Sequence, residues 1–235
     1  MMKDRLAVID VGSNSVRMVV YPSTALASPP LFNEKAMCGL GRGQTPGGAL
    51  AEEAMDRATD TIARFAHVAT AMGVGVIDAA ATAAVREASN RDEFLRRIQA
   101  EAGIAVRILS GKEEARLSAR GVLAASPGAS GLVGDLGGGS LELSQLGPSQ
   151  HDGLAQSVSL ALGTLRLASA NGRDGVLLDQ HIDAALADVE WLDQIRDGDL
   201  YIVGGAWRSL GRLEMARNRY PLRVLHGYAL PAARI

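Results

Sequence analysis

Two short stretches of this chain carry acid, glycine and hydroxyl residues in the same order. The first reads Ile9-Asp10-Val11-Gly12-Ser13-Asn14-Ser15, and the second Gly134-Asp135-Leu136-Gly137-Gly138-Gly139-Ser140-Leu141-Glu142. Asp10 aligns with Asp135, Gly12 with Gly137 and Ser15 with Ser140, each pair 125 positions apart. A turn built from Gly, Ser and Asn presents successive backbone N–H groups, and its small side chains let a phosphate approach closely. The hydroxyls of Ser13, Ser15 and Ser140 add donors, and Asn14 adds an amide. Gly12, Ser13, Asn14 and Ser15, with Gly137, Gly138, Gly139 and Ser140, are therefore the expected phosphate cradle. Asp10 and Asp135 end their strands just before the turns. A carboxylate there suits Mg²⁺, often through water, with phosphate oxygens completing the shell. A divalent ion with fixed donors is the arrangement phosphoryl transfer needs.

The elements that must position these turns follow from hydrophobic period. Residues 6–10 and 16–21 are β-rich and flank the first turn, which predicts a hairpin. A third strand is expected near 35–40. Ala54, Ala58, Ile62, Phe65, Ala69 and Met72 recur at spacings of three and four, which predicts a helix over 51–72 ended by Gly73. A buried strand is expected over 74–81. A helix is expected over 92–102, with Asn90 as its N-cap and Gly103 after its end. A strand over 104–109 and a helix over 113–125 lead to the linker Ser126-Pro127-Gly128-Ala129-Ser130. Beyond the second turn, strands are expected over 154–162 and 201–203, with helices over 178–195 and from 209. Alternating helices and strands predict an α/β fold with sheets packed on both faces. The repeat predicts two lobes, 1–126 and 127–235, with a cleft between them.

Composition sets bounds on function. The net charge of −2 gives no electrostatic case for nucleic acid or an anionic membrane surface. Cys38 is the only cysteine, so neither an intrachain disulfide nor a multi-cysteine zinc site can form. No run approaches the roughly 18 apolar residues that span a bilayer. The expected location is the cytoplasm.

The two turns resemble the phosphate motifs of the superfamily of acetate and sugar kinases, heat-shock chaperones and actin. Three further stretches narrow the resemblance. Ala81-Thr82-Ala83-Ala84-Val85-Arg86-Glu87-Ala88 and Ile108-Leu109-Ser110-Gly111-Lys112-Glu113-Glu114-Ala115-Arg116-Leu117 are similar to stretches of exopolyphosphatases and guanosine pentaphosphate phosphohydrolases. Gly39-Leu40-Gly41 fits the same family's Leu-Gly before its first helix. The resemblance implies two ribonuclease-H-like lobes of the actin-like ATPase fold, the second incomplete. It implies a hydrolase that removes terminal phosphate from inorganic polyphosphate or guanosine pentaphosphate with Mg²⁺ or another divalent cation. It further implies that Glu114 orients or deprotonates the attacking water, that Arg86 offsets transition-state charge, that Asp135 takes part in catalysis, and that Asp10, Asp135 and Glu142 hold the metal. Glu113 cannot share a helix face with Glu114, so only one of the two can enter the cleft.

This sequence departs from the family in two places. Leu141 stands where a threonine is usual, and Gly204-Gly205-Ala206-Trp207 stands where the superfamily's third glycine motif is usual. The bulk of Trp207 favours inorganic polyphosphate over a nucleotide. Arg17 stands where the second copy has Glu142, and no role is assigned to it. A kinase of the same superfamily and a non-catalytic polyphosphate or alarmone binder are the alternatives. A homodimer is a further expectation. Members of the family usually continue well past residue 235, so the second lobe is expected to lack its last strand and closing helix.

Overall fold

The first hairpin forms where alternation predicts it. β1 (Leu6–Val11) pairs antiparallel with β2 (Ser15–Tyr21), and Asp10 stands opposite Arg17. The computed structural model describes residues 5–24, 28–147, 153–170, 175–195 and 198–231. β3 (Phe32–Met37) adds antiparallel to β2, while β4 (Val76–Ala81) and β5 (Val106–Ile108) add parallel on the other side. The sheet order is β3-β2-β1-β4-β5.

One face of this sheet carries the first core. Ala7, Ile9 and Val11 of β1 and Val16, Met18 and Val20 of β2 are fully buried, and the residues between them are not. This departs from the expectation of two buried faces. α1 (Glu52–Ala71) packs on β1 and β2 and buries Ala54, Ala58, Ile62, Phe65 and Ala69. α3 (Arg91–Ala102) packs on α1 and β5 and adds Phe94 and Ile98. Each fully buried Ile or Phe contributes about 1.5–3 kcal/mol, so Phe65→Ala would cost about 3–5 kcal/mol.

The second sheet repeats this plan with one strand fewer. β6 (Gly131–Leu136), β7 (Leu141–Leu146), β8 (Leu154–Leu160) and β9 (Asp199–Val203) lie in the order β8-β7-β6-β9. β6 occupies the place of β1, β7 that of β2, β8 that of β3 and β9 that of β4, with the same parallel and antiparallel senses. Among the described residues the outer edge of β9 is unpaired, and Leu200 and Ile202 on it are exposed. α4 (Gly111–Ala125) packs against β6, β7 and β8. The chain therefore crosses from one sheet to the other before α4, not in the 126–130 linker. The second core is small and centres on Ala119, Val133, Leu146 and Leu154.

Several elements differ from expectation. The third strand lies earlier than 35–40 because residues 38–41 turn back onto the first glycine turn. Asn90 precedes α3 but does not cap it. Its Oδ1 accepts from Leu50 N at 2.8 Å, and its Nδ2 donates to Leu50 O at 3.1 Å. The helix expected over 178–195 is instead α6 (Gly175–Ala187) followed by a 3₁₀ turn at Glu190–Ile195. α7 (Gly205–Arg217) begins before residue 209. Two short helices were not anticipated: α2 (Ala83–Glu87) and α5 (Thr164–Ala170). Among the described residues no helix is long and apolar enough to cross a membrane.

Candidate functional site

The two glycine turns have the same backbone geometry. Gly12 N donates to Ser15 O at 3.0 Å, and Gly137 N donates to Ser140 O at 3.0 Å. Each turn is then held from behind through its carbonyls. In the first, Ser13 O accepts from Gly41 N at 2.7 Å, while Asn14 O accepts from Cys38 N at 3.1 Å and Gly39 N at 3.0 Å. This is the structural use of Gly39-Leu40-Gly41. In the second, Gly137 O accepts from Thr164 N at 3.0 Å and Gly138 O from Leu165 N at 2.9 Å. Gly139 O accepts from Arg166 Nε at 3.0 Å. A planar trans peptide points its C=O and the following N–H in opposite directions. Anchoring these carbonyls therefore turns the N–H groups of Gly138, Gly139 and Ser140 away from α5, as a phosphate cradle requires.

The turns face each other across the lobes. A Cβ on Gly139 would lie 2.7 Å from Ser13 Oγ and 2.8 Å from Ala83 Cβ, and one on Gly138 would lie 3.2 Å from Ser13 Cβ. Only glycine allows this approach. The phosphate-binding residues expected from sequence are thus brought together, with Ser13 and Ser140 buried at the junction.

The acids flanking the turns lie on cross-strand rows. Asp10 stands opposite Arg17, and Arg17 opposite Lys35. In the second lobe Asp135 stands opposite Glu142, and Glu142 opposite Ser159. Directly opposed side chains share a face and interact. The first row therefore sets cations beside its aspartate, and the second sets an acid and a hydroxyl there. Asp10 is exposed at the mouth of the cleft, with protein atoms crowded around it. Its pKa is raised from 3.8 to about 6, first by desolvation and then by Asp135, against the pull of Arg17 and Lys35. Desolvation also raises Asp135, while a hydrogen bond from Ser118 Oγ and the charge of Arg208 oppose the shift. Glu142 is only 2% exposed. Desolvation raises it, and the hydroxyls of Ser140 and Ser159 oppose the rise, Ser159 at 2.7 Å.

Arg86 and Glu114 meet in the cleft. Arg86 lies in the last turn of the short helix α2, and its Nη1 donates to Glu114 Oε2 at 2.9 Å and to Leu109 O at 2.9 Å. Their side chains are 21% and 18% exposed, so this pair is largely desolvated. Glu113 turns the other way. It closes a capping box with Ser110, whose N donates to Glu113 Oε2 at 2.8 Å while Glu113 N donates to Ser110 Oγ at 3.2 Å. Burial raises Glu114 from 4.5 to about 7, Glu142 adds to the shift, and Arg86 works against it. Gly111 lets α4 approach β8, since a Cβ there would lie 2.5 Å from Ser159 Cβ. Arg86, Glu87, Gly111, Ser140, Ser159 and Leu160 line a cavity of about 260 Å³.

Some site residues left no motif to read. Ser159 and Ser118 are marked only by standing opposite or near an acid. Gly163 is buried against the second turn, where a Cβ would lie 2.2 Å from Gly139 C. Gly204, at φ 109°, would place a Cβ 2.5 Å from Leu136 O and 2.9 Å from Asp135 Oδ1. The third glycine motif is therefore needed for packing beside Asp135. Trp207 is half-buried in α7, and its Nε1 has no acceptor among the described residues.

Comparison with known proteins assigns the chain to a family. Residues 19–235 match the Ppx/GppA phosphatase family. The chain belongs to that family. Among curated proteins it is 36% identical over 219 residues to Exopolyphosphatase 1 of Mycobacterium leprae, covering 89% of this chain and 64% of that protein. It is 34% identical over 164 residues to Exopolyphosphatase 1 of Mycobacterium tuberculosis, covering 68% of this chain and 47% of that protein. The chain thus spans less than two thirds of these relatives. An exopolyphosphatase structure from Cytophaga hutchinsonii superposes with a TM-score of 0.83 at 29% identity, over 93% of this chain and 72% of the other. The Ppx/GppA enzyme of Aquifex aeolicus gives 0.71 at 25%, over 93% and 73%. The fold is the two-lobed α/β fold expected from the repeat.

The donor set suits a hard, hydrated cation. The acids that face the cleft offer only oxygen, and their mutual repulsion leaves negative charge to be neutralised. Among the described residues no group of three or more His, Cys, Asp or Glu stands close enough to cage a metal. Asp10, Asp135 and Glu142 therefore do not form one closed shell, and water and phosphate oxygens would supply the rest.

Proposed function

We propose that this chain carries the phosphohydrolase site of a polyphosphate-degrading enzyme, removing terminal orthophosphate by water attack. The observation that carries the reading is the Arg86–Glu114 pair, whose arginine lines a cavity that also takes in Ser140 of the second turn. The terminal phosphate sits on the N–H groups of the two turns and on the hydroxyls of the first. Arg86 meets its oxygens with a planar fork and offsets charge that builds as the bridging bond breaks. Glu114, as carboxylate, orients the water in line with phosphorus and accepts its proton. Glu142, held by Ser140 and Ser159, keeps Glu114 basic through repulsion. Asp10, Asp135 and Glu142 are the residues that would hold Mg²⁺. The ion would supply charge neutralisation for the phosphate oxygens.

Inorganic polyphosphate is the preferred substrate and guanosine pentaphosphate the second. The names of the curated relatives support the first, as does a third glycine motif that is used in packing. A cytoplasmic site of action suits a chain whose one cysteine is buried and unpaired. Orthophosphate release from medium-length polyphosphate, guanosine pentaphosphate and ATP, with and without Mg²⁺, tests the reading. Release from polyphosphate that requires a divalent ion supports it, and no release from either of the first two sinks it.

A further inference from the structure

Among the described residues of the first lobe, the bonds that hold the glycine turn from behind come from backbone N–H groups. In the second, the carbonyl of Gly139 is held by a side chain, Arg166 Nε at 3.0 Å. Gly139 is the counterpart of Asn14, whose carbonyl takes two backbone donors from the 38–39 turn. The same guanidinium reaches across to the first lobe, where Nη2 meets Glu87 Oε2 at 2.5 Å. Arg166 and Glu87 are 22% and 34% exposed at the side chain, so the pair is partly shielded from water. One planar group therefore fixes the peptide between Gly139 and Ser140 and ties it to the helix that carries Arg86.

We propose that Arg166 is a positioning residue for the second phosphate turn. Its Nε holds the Gly139 carbonyl so that the Ser140 N–H points into the cleft, and its contact with Glu87 sets the turn's distance from Arg86. Its importance for turnover rests on the phosphohydrolase reading; its hold on the turn does not. A lysine cannot replace it. A single ammonium lacks the fixed fork that reaches a carbonyl and a carboxylate together.

The test compares Arg166→Ala, Arg166→Lys and Glu87→Gln with the parent protein. Hydrogen–deuterium exchange over residues 137–143 of the unliganded protein reads the turn itself. KM and kcat for polyphosphate read the consequence. Exchange should speed about tenfold or more in both Arg166 variants and less than threefold in Glu87→Gln. KM should rise more than kcat falls. Arg166→Lys serves if the alanine variant loses the second lobe's fold. Exchange within twofold of parent in both Arg166 variants would overturn the proposal. So would equal effects in Glu87→Gln and Arg166→Ala, since Arg166 would then act only as a strap between lobes. A parent protein that releases no orthophosphate overturns the phosphohydrolase reading, while exchange still judges Arg166.

Discussion

Arg86 Nη1 lies 2.9 Å from Glu114 Oε2, so in the unliganded cleft the cation and the carboxylate hold each other. An incoming phosphate competes with Glu114 for the guanidinium. Substrate entry would thus free the carboxylate for a water at the moment Arg86 turns to the phosphate. The two residues form a coupled pair, and each variant should be read through both.

Arg86→Ala should lower kcat/KM for polyphosphate by about 10- to 100-fold, the scale of one lost charged hydrogen bond. Arg86→Lys should recover only part of this, because a lysine keeps the charge but not the fork. Steady-state kinetics of both variants decides it. Equal activity of Arg86→Lys and parent would argue against bidentate binding.

The pH profile follows from Glu114. Its pKa is raised from 4.5 to about 7, so the carboxylate form grows as pH rises through 7. Without excess Mg²⁺, kcat/KM should climb about tenfold per pH unit below 7 and level off above it. Arg86→Ala removes an interaction that lowers this pKa, so its limb should move to higher pH. A rate that falls as pH rises through 7 would assign Glu114 a different role.

Stability should show the cost of Asp10. Its folded pKa of about 6 exceeds its ordinary 3.8, so the folded state binds the proton more tightly than the unfolded chain. Stability from this group is present below about pH 4 and is lost as pH rises through 6. Asp10→Asn should therefore raise Tm at pH 8 and leave it unchanged near pH 3.5. Mg²⁺ should raise the parent's Tm at pH 8 and raise that of Asp10→Asn less. Thermal melts at the two pH values, with and without the ion, measure all of this.

Gly111→Ala should damage the site without touching its charges. The new methyl meets Ser159 Cβ at 2.5 Å, and neither is the end of a flexible chain. Overpacking of this kind costs about 1–3 kcal/mol. The strain should lift the start of α4 from β8 and move Glu114 away from Glu142. Activity should fall further than Tm alone explains, and a variant with parent kcat would show that this approach does not matter.

The hairpins were legible because β-branched alternation and the repeated Asp-x-Gly turn act locally. The long helix α1 was legible for the same reason. Other features depend on partners distant in sequence. Arg86 and Glu114 are 28 positions apart, and only the family pattern joined them. The choice between Glu113 and Glu114 was open to a fuller reading, since Ser110-Gly111-Lys112-Glu113 spells a capping box that removes Glu113 from the cleft. Asn90 misled for the opposite reason: tertiary bonds to Leu50 outcompeted capping. Gly163 and Arg166 act on the backbone of Gly139, 24 and 27 residues back, and backbone groups leave no trace in composition. α5 spans less than two turns and is held by those same bonds, so its period was too short to read.

The most direct test of the hydrolytic reading is Glu114→Gln, which keeps the shape and removes the base. Orthophosphate release from polyphosphate and calorimetric binding of the same chain, both with Mg²⁺, should be measured on parent and variant. Release should fall by about 10²- to 10⁴-fold while Kd stays within a few-fold of parent. Release within a few-fold of parent would contradict the assignment of Glu114 as the group that activates water.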